Sequence, residues 1–346
     1  MKRVGLRLKG QNTNAYRSRL AQRRFAVQLK AKRKRLDPLI TKKKSDSEIQ
    51  KEQINDQILS EPYPSFLSTL DPKASLTQQR RYILDSITNT KHSNNVIAII
   101  RKTYQDSPDL LNSAIFTVAV KKCNDLHQHL QCIYLMDLML EYGVRRDVIQ
   151  YNMVLLSLSK CEGQIAESLK YFKSMIKLDG LRPDIYTLTH LMQSFRHNSM
   201  SFTISDLENE SAIAVRSKMA KRCEKIWNVL VHRFDIKPDR LALSEKALLY
   251  ANYGMAEDAL RIWDEMTTIY EVKPRVTTCG LMLKAFAKYG DTESTAKILG
   301  FMKRHHMRMN QVLLCSLINC WINKGDHSKA IEVHDKFVIH NRENKS

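Results

Sequence analysis

The sequence predicts an all-α chain, a right-handed solenoid of helix–turn–helix repeats of about 35 residues each, behind a basic and largely unstructured N-terminal segment. Three features in one register predict it. Short strings recur at Ser107-Pro108-Asp109, Arg145-Arg146-Asp147, Arg182-Pro183-Asp184, Lys237-Pro238-Asp239, Lys273-Pro274-Arg275 and Arg308-Met309-Asn310, and their last residues lie 38, 37, 55, 36 and 35 positions apart. Gly163 follows Asp147 by 16 residues, while Gly254, Gly290 and Gly325 follow Asp239, Arg275 and Asn310 by 15, where a turn between helices favours a flexible residue. Counting back from each unit's end, Met139, Met175, Leu230, Met266 and Met302 fall 8 or 9 residues before it.

In chain order, the basic segment comes first. The chain has 346 residues with 56 Lys and Arg against 36 Asp and Glu, a formal charge of +20. Residues 1–44 hold 16 of those cations and a single acid, Asp37, so they carry +15 and leave +5 for the remaining 302 residues. Such a head reads as an organellar targeting segment, as an RNA- or ribosome-binding arm, or as a nuclear signal at Lys32-Arg33-Lys34-Arg35 or Lys42-Lys43-Lys44. It lacks the apolar core of a secretory signal. Residues 45–75 turn polar and mixed in charge around Pro62, Pro64 and Pro72, which predicts a linker with one short helix around Glu48 to Leu59.

The body follows. Leu76 to Thr90 and Asn95 to Tyr104 read as a capping helical pair within 76–109, ahead of a repeat array of about six units over 110–346. Apolar residues at steps of three and four, such as Leu169, Phe172 and Met175 or Ala259, Ile262, Trp263 and Met266, would share one buried helix face. Each unit therefore reads as helix, turn, helix and a short extended Pro-Asp connection. The gap of 55 leaves about 20 extra residues near 197–214. They are polar and net acidic, so a surface loop is expected there.

Several function classes are excluded. Seven cysteines, none spaced Cys-x-x-Cys, argue against a disulfide scaffold or zinc knuckle and for ordinary buried thiols. No apolar run approaches the ~18 residues that span a bilayer. Neither a Gly-x-x-x-x-Gly-Lys-Ser/Thr loop nor a Gly-x-Ser-x-Gly elbow occurs, and His-x-Glu with Cys-x-x-Cys is missing, so no catalytic residue, metal ligand or cofactor is assigned. His127 with His129 and His305 with His306 read as surface residues, and Trp227, Trp263 and Trp321 as packing.

The strings Asp147-Val148-Ile149-Gln150-Tyr151-Asn152 and Ala259-Leu260-Arg261-Ile262-Trp263-Asp264-Glu265-Met266, with their Lys-Pro-Asp ends, resemble pentatricopeptide repeats. The resemblance implies a non-catalytic protein that binds single-stranded RNA, one repeat to one base, with the fifth and last residues of a repeat meeting the base edge and the second residues of adjacent repeats sandwiching it. Carried onto this chain, it pairs Ala114 with Asp147, Asn152 with Asp184, Thr189 with Asp239, Ser244 with Arg275 and Gly280 with Asn310. Cys315 is the fifth residue of a last, unpaired unit. Asn152 with Asp184 resembles a uracil reader and Thr189 with Asp239 a guanine reader. Ile149, Tyr186, Leu241 and Thr277 are the sandwiching residues. The resemblance also implies a mitochondrial setting, with mRNA or rRNA as partner, in RNA processing, stability or translation. The alternative is a structural protein of a ribonucleoprotein such as the mitochondrial ribosome, and a nuclear location stays open beside the mitochondrial one.

Overall fold

The first helices start at a side chain that closes them, the helix after Arg275 excepted. Asp184, Asp239 and Asn310 accept the backbone N–H of the third helical residue, from Thr187 at 2.9 Å, Ala242 at 2.7 Å and Leu313 at 2.9 Å. Asp147 does the same for Gln150 at 3.0 Å, and Gln150 Oε1 in return accepts the Asp147 N–H at 2.7 Å, a reciprocal capping box. From Asp147 onward the last residue of each recurring string is thus at the N-cap of the following helix, which explains its preference for Asp or Asn. The preceding Pro183, Pro238 and Pro274 are buried, and their rings hold the incoming chain extended.

The computed structural model describes residues 74–161, 163–200, 203, 205–207 and 209–343, so the head 1–44, nearly all of the linker 45–75 and the helix expected around Glu48 to Leu59 lie outside them. The described residues form α-helices and no strand. In order these are α1 (Leu76–Asn89), α2 (Ser93–Asp106), α3 (Ser113–Asp125), α4 (His129–Glu141), α5 (Val148–Ser159), α6 (Ile165–Lys177), α7 (Ile185–Ser199), α8 (Glu210–Asn228), α9 (Arg240–Asn252), α10 (Ala256–Thr268), α11 (Val276–Lys288), α12 (Thr292–Arg304), α13 (Gln311–Lys324) and α14 (His327–Glu343). They follow one another as helix–turn–helix pairs, the all-α repeat expected.

One register assignment is corrected. Pro108 sits inside a short 3-10 turn, Pro108–Leu110, and α3 begins only at Ser113, with Asn112 as N-cap accepting from Ile115 N at 3.0 Å. The first register residue is therefore Asn112 and not Asp109, which shortens the first interval to 35. The 3-10 turn Pro108–Leu110 separates the proline from the cap and so shifts the register by three positions.

Left-handed backbone residues end the helices in two rows. Between first and second helices stand His127, Gly163, Gly254, Gly290 and Gly325, with φ from 57° to 87°. Between repeats stand Gly143, Gly180, Asp235, Glu271 and His306, with φ from 51° to 69°, each four residues before the next N-cap. The carbonyls of Met139, Met175, Leu230, Met266 and Met302 accept the N–H just beyond that second row, at 2.8 to 3.2 Å. The methionine row therefore anchors helix ends through its backbone while its side chains are buried.

The chain divides into two compact units: residues through Leu158 with Leu169–Arg182, and Ser159–Ser168 with Pro183 onward. In the first, α1 packs on α3 and α2 on α4 around Ile87, Ile97, Phe116, Val120 and Leu135, all fully buried. Arg146 and Asp179 form an ion pair there at 2.9 Å, with side chains 4% and 6% exposed, and the Tyr151 hydroxyl donates to the same carboxylate at 2.7 Å. In the second unit, α7, α9, α11 and α13 stack in chain order, each with its own second helix against it. Leu191, Phe195, Leu243, Met282 and Phe286 lie in this core, each contributing roughly 1.5–3 kcal/mol by burial.

The extra residues of the unit 185–239 are not all loop. The first helix runs on to Ser199, and α8 starts at Glu210 with 19 residues, against 13 in each of α4, α6, α10 and α12. It then continues through a π-turn, Val229–Arg233. Helix thus occupies 197–199 and 210–214 of the loop expected at 197–214, because the sequence from Glu210 to Asn228 holds no Gly or Pro and buries Ala220, Cys223 and Trp227 on one face.

Candidate nucleic-acid interface

The second residue of each first helix stands just after the cap, on the side turned away from the hairpin core. Ile149, Tyr186, Leu241 and Val312 occupy that position and are 56%, 63%, 46% and 70% exposed. Ala114 and Thr277 are exposed at the same place. In the second unit these positions come from α7, α9, α11 and α13, so Tyr186, Leu241, Thr277 and Val312 recur once per stacked helix. Large apolar side chains left in water at a fixed repeat position find no folding role there.

The fifth positions lie one turn further on and are mostly buried. In the first unit Asn152 is 7% exposed; in the second, Thr189 is 4% and Ser244 5% exposed. The Thr189 hydroxyl has no hydrogen-bond partner, an uncommon state for a buried polar atom. Ser244 Oγ lies 3.4 Å from Thr278 Oγ1. Gly280 offers no side chain, and an added Cβ would meet Leu313 Cδ2 at 3.1 Å. Cys315 is exposed.

The corrected register moves one pair. With Asn112 as cap, Ala114 is a second residue and Thr117 the fifth, so Thr117 rather than Ala114 belongs with Asp147. Thr117 Oγ1 accepts from Gln150 Nε2 at 2.9 Å and donates to Ser113 O at 3.0 Å; Asp147 Oδ2 accepts from Ser113 Oγ at 3.1 Å. Asn152 and Asp184 belong to different units, and Asp184 caps α7. Thr189 and Asp239 share the second unit; Asp239 is exposed and uses Oδ1 for its cap. Asn310 is exposed and capping, whereas Arg275 is exposed and makes no cap hydrogen bond.

Two turns above the second positions, the same first helices enclose a groove of ≈ 540 Å³ lined by Arg196, Asn252, Lys284, Lys288, Asn319 and Asn323 among others, with no carboxylate in its lining. Burial lowers the pKa of Lys288, so its charge is partly stripped of water. Arg196 is held by Glu245, whose pKa burial raises against the pull of that guanidinium. These groove residues escaped the sequence reading. Their signal was the polar residue at the ninth or thirteenth helical position, Lys284 and Asn319 or Asn252, Lys288 and Asn323, which helical periodicity alone scores as solvated surface.

The remaining reactive groups are quiet. Burial pushes the Cys223 thiol up to about 12 and the Cys123 thiol up as well, so both stay protonated. Trp227 and Trp263 are packed in the core, while Trp321 is half-buried between Lys324 and Lys329. Among the described residues no helix is long and apolar enough to cross a membrane.

No protein-family model matches this chain, and no curated protein matches it. Among solved structures it is similar to the pentatricopeptide repeat protein PPR10 from maize, at 15% identity and a TM-score of 0.54, over 84% of this chain and 43% of that one. It also resembles the PPR domain of Arabidopsis thaliana protein-only RNase P 1 in complex with tRNA, at 17% identity and a TM-score of 0.46, over 62% of this chain and 98% of that one. The chain thus spans less than half the length of the maize protein and has the fold of a pentatricopeptide-repeat solenoid.

Proposed function

We propose that this chain, a pentatricopeptide-repeat solenoid by fold, binds single-stranded RNA along its first helices and does no chemistry on it. The observation that carries this reading is the row of exposed second residues, Tyr186, Leu241, Thr277 and Val312, one per stacked helix. Bases entering between them would stack on Tyr186 and pack on Leu241 and Val312, at about 1–3 kcal/mol per base for an aromatic platform. The unpartnered Thr189 hydroxyl and the exposed Asp239 carboxylate supply polar contacts to a base edge one turn deeper, and the cationic groove beyond them faces the phosphates.

By the resemblance that makes Thr189 with Asp239 a guanine reader, the corrected pair Thr117 with Asp147 is a second one. Ser244 with Arg275 and Gly280 with Asn310 fall outside the reading pattern. Discrimination by so few bases is weak in a transcriptome, so affinity from the basic head completes the binding. The proposed setting is the mitochondrion, on the strength of the acid-poor head, in RNA processing, stability or translation.

Binding of the full chain to unstructured RNAs that differ at one guanine tests the reading. Thr189→Val with Asp239→Asn should remove the guanine preference while leaving the helix capped, and Tyr186→Ala should weaken every RNA about tenfold or more. Binding lost only on deletion of residues 1–44, with no effect of these substitutions, would leave the ribonucleoprotein-scaffold reading in its place.

A further inference from the structure

Helix α8 differs from the second helices α10 and α12, where a cation faces a carboxylate one turn away on the same helix. On α10, Arg261 pairs with Asp258 at 3.1 Å and Glu265 at 2.9 Å, and on α12 Lys297 faces Glu293 at 3.9 Å. On α8, Lys218, Lys221, Arg222 and Lys225 are all exposed, and among the described residues no carboxylate pairs with any of them. Glu224 is turned to Lys246 and Tyr250, and Glu210 stands at the first residue of the helix.

At about 100° per residue the four cations fall within roughly 100° of arc, and at 1.5 Å per residue they cover roughly 10 Å of one ridge. They are spaced three and four apart, so each stands beside two like charges, an arrangement that weakens a helix. Outside the head the chain is close to neutral, with +5 over 302 residues, so composition does not account for the cluster. Repulsion kept without an internal partner points to an external polyanion.

We propose that this ridge of α8 binds the phosphate backbone of double-stranded RNA, as a site separate from the row on the first helices. A single strand would find nothing there to stack on, because Trp227 of α8 is buried and the ridge carries no aromatic side chain. A duplex has its bases paired already and presents mainly phosphates and 2′-hydroxyls, which need no stacking platform. A protein partner needs a cluster of large aromatic or aliphatic anchors, and beside the ridge α8 exposes one large aliphatic side chain, that of Val215. A membrane needs a free apolar face, and that of α8, Ala220, Cys223, Trp227 and Leu230, is buried. The site stands whether or not the first helices read bases.

The full chain is compared with a variant carrying Lys218→Gln, Lys221→Gln, Arg222→Gln and Lys225→Gln, for binding to a blunt RNA duplex across a salt series. Both keep the head, so its contribution cancels. The plot of log affinity against log salt should become shallower by about 3 to 4, at about 0.9 per phosphate contact, with duplex affinity at least tenfold lower at ~0.1 M salt. Binding of unstructured RNA should hold. In the unsubstituted chain, duplex RNA should shield Lys218, Lys221 and Lys225 from an acylating reagent, and phosphatidylserine vesicles should not. Equal salt slopes, unshielded lysines, shielding by vesicles instead of RNA, or equal losses for single strands would each overturn the proposal. Relief of like-charge repulsion should leave the unfolding midpoint unchanged or raised, and the labelling result stands even if the variant folds poorly.

Discussion

The repeats 185–239 and 240–275 begin alike and finish differently. Both first helices start at an aspartate cap, expose the second residue and bury the fifth. Then α8 runs 19 residues into a π-turn, while α10 stops at 13. Glu224 of α8 reaches Lys246 and Tyr250 of α9 at 3.0 and 2.7 Å, with the Lys246 ammonium 4.2 Å above the centre of the Trp227 ring. The ions of α10 meet one another in water instead. In the second unit α9 and α11 are packed on both sides by neighbouring first helices, and both have 13 residues. A second helix keeps one open face and can take in extra residues.

The contrast can be broken at its strongest point by Glu224→Ala, which strands a lysine whose side chain is 4% exposed and a tyrosine hydroxyl; a loss of about 3 kcal/mol is expected in denaturant unfolding. Arg261→Ala on α10 should change the same measurement by less than about 0.5 kcal/mol. Next come the turns. Gly290→Ala combines φ of +64° with a Cβ 2.8 Å from Lys324 N and should cost about 2 kcal/mol or more, whereas Gly325→Ala, with nothing within 4 Å, should cost about 1 kcal/mol. Smaller again is Asp239→Ala, at about 1 kcal/mol for the lost cap, against near neutrality for Asp239→Asn. Glu271→Gly should act in the opposite direction, raising the thermal midpoint slightly by relieving φ of 51°.

The least effect is one of pH. Burial raises the folded-state pKa of Glu245, so its contribution to stability is fully present below the ordinary glutamate range and is lost as pH rises through the raised value. Unfolding midpoints followed from acid to neutral pH should flatten in Glu245→Gln. A steeper profile in that variant would contradict the sign.

Much of this was legible in the residues. Gly163, Gly254, Gly290 and Gly325 mark turns because a left-handed backbone at a helix end favours glycine. The row between repeats was hidden because Asp235, Glu271 and His306 adopt the same φ without announcing it. Pro108 misled by three residues, since proline suits a 3-10 turn as well as an extended link to a cap. Helical periodicity found the buried faces of α6 and α10. It said nothing of Lys284 and Lys288, whose meaning depends on which side of the stack they line.

The cap at the start of each first helix constrains how this chain can change over generations. Asp and Asn close a helix about equally well. A lineage can therefore exchange them at 147, 184, 239 or 310 by a single-base mutation in the gene and leave folding almost untouched. Ser and Thr can cap as well, but a residue outside this set forfeits the cap before it can offer new chemistry. Arg275 is such a case: α11 starts without a side-chain cap, and at that joint the chain has already left the neutral path.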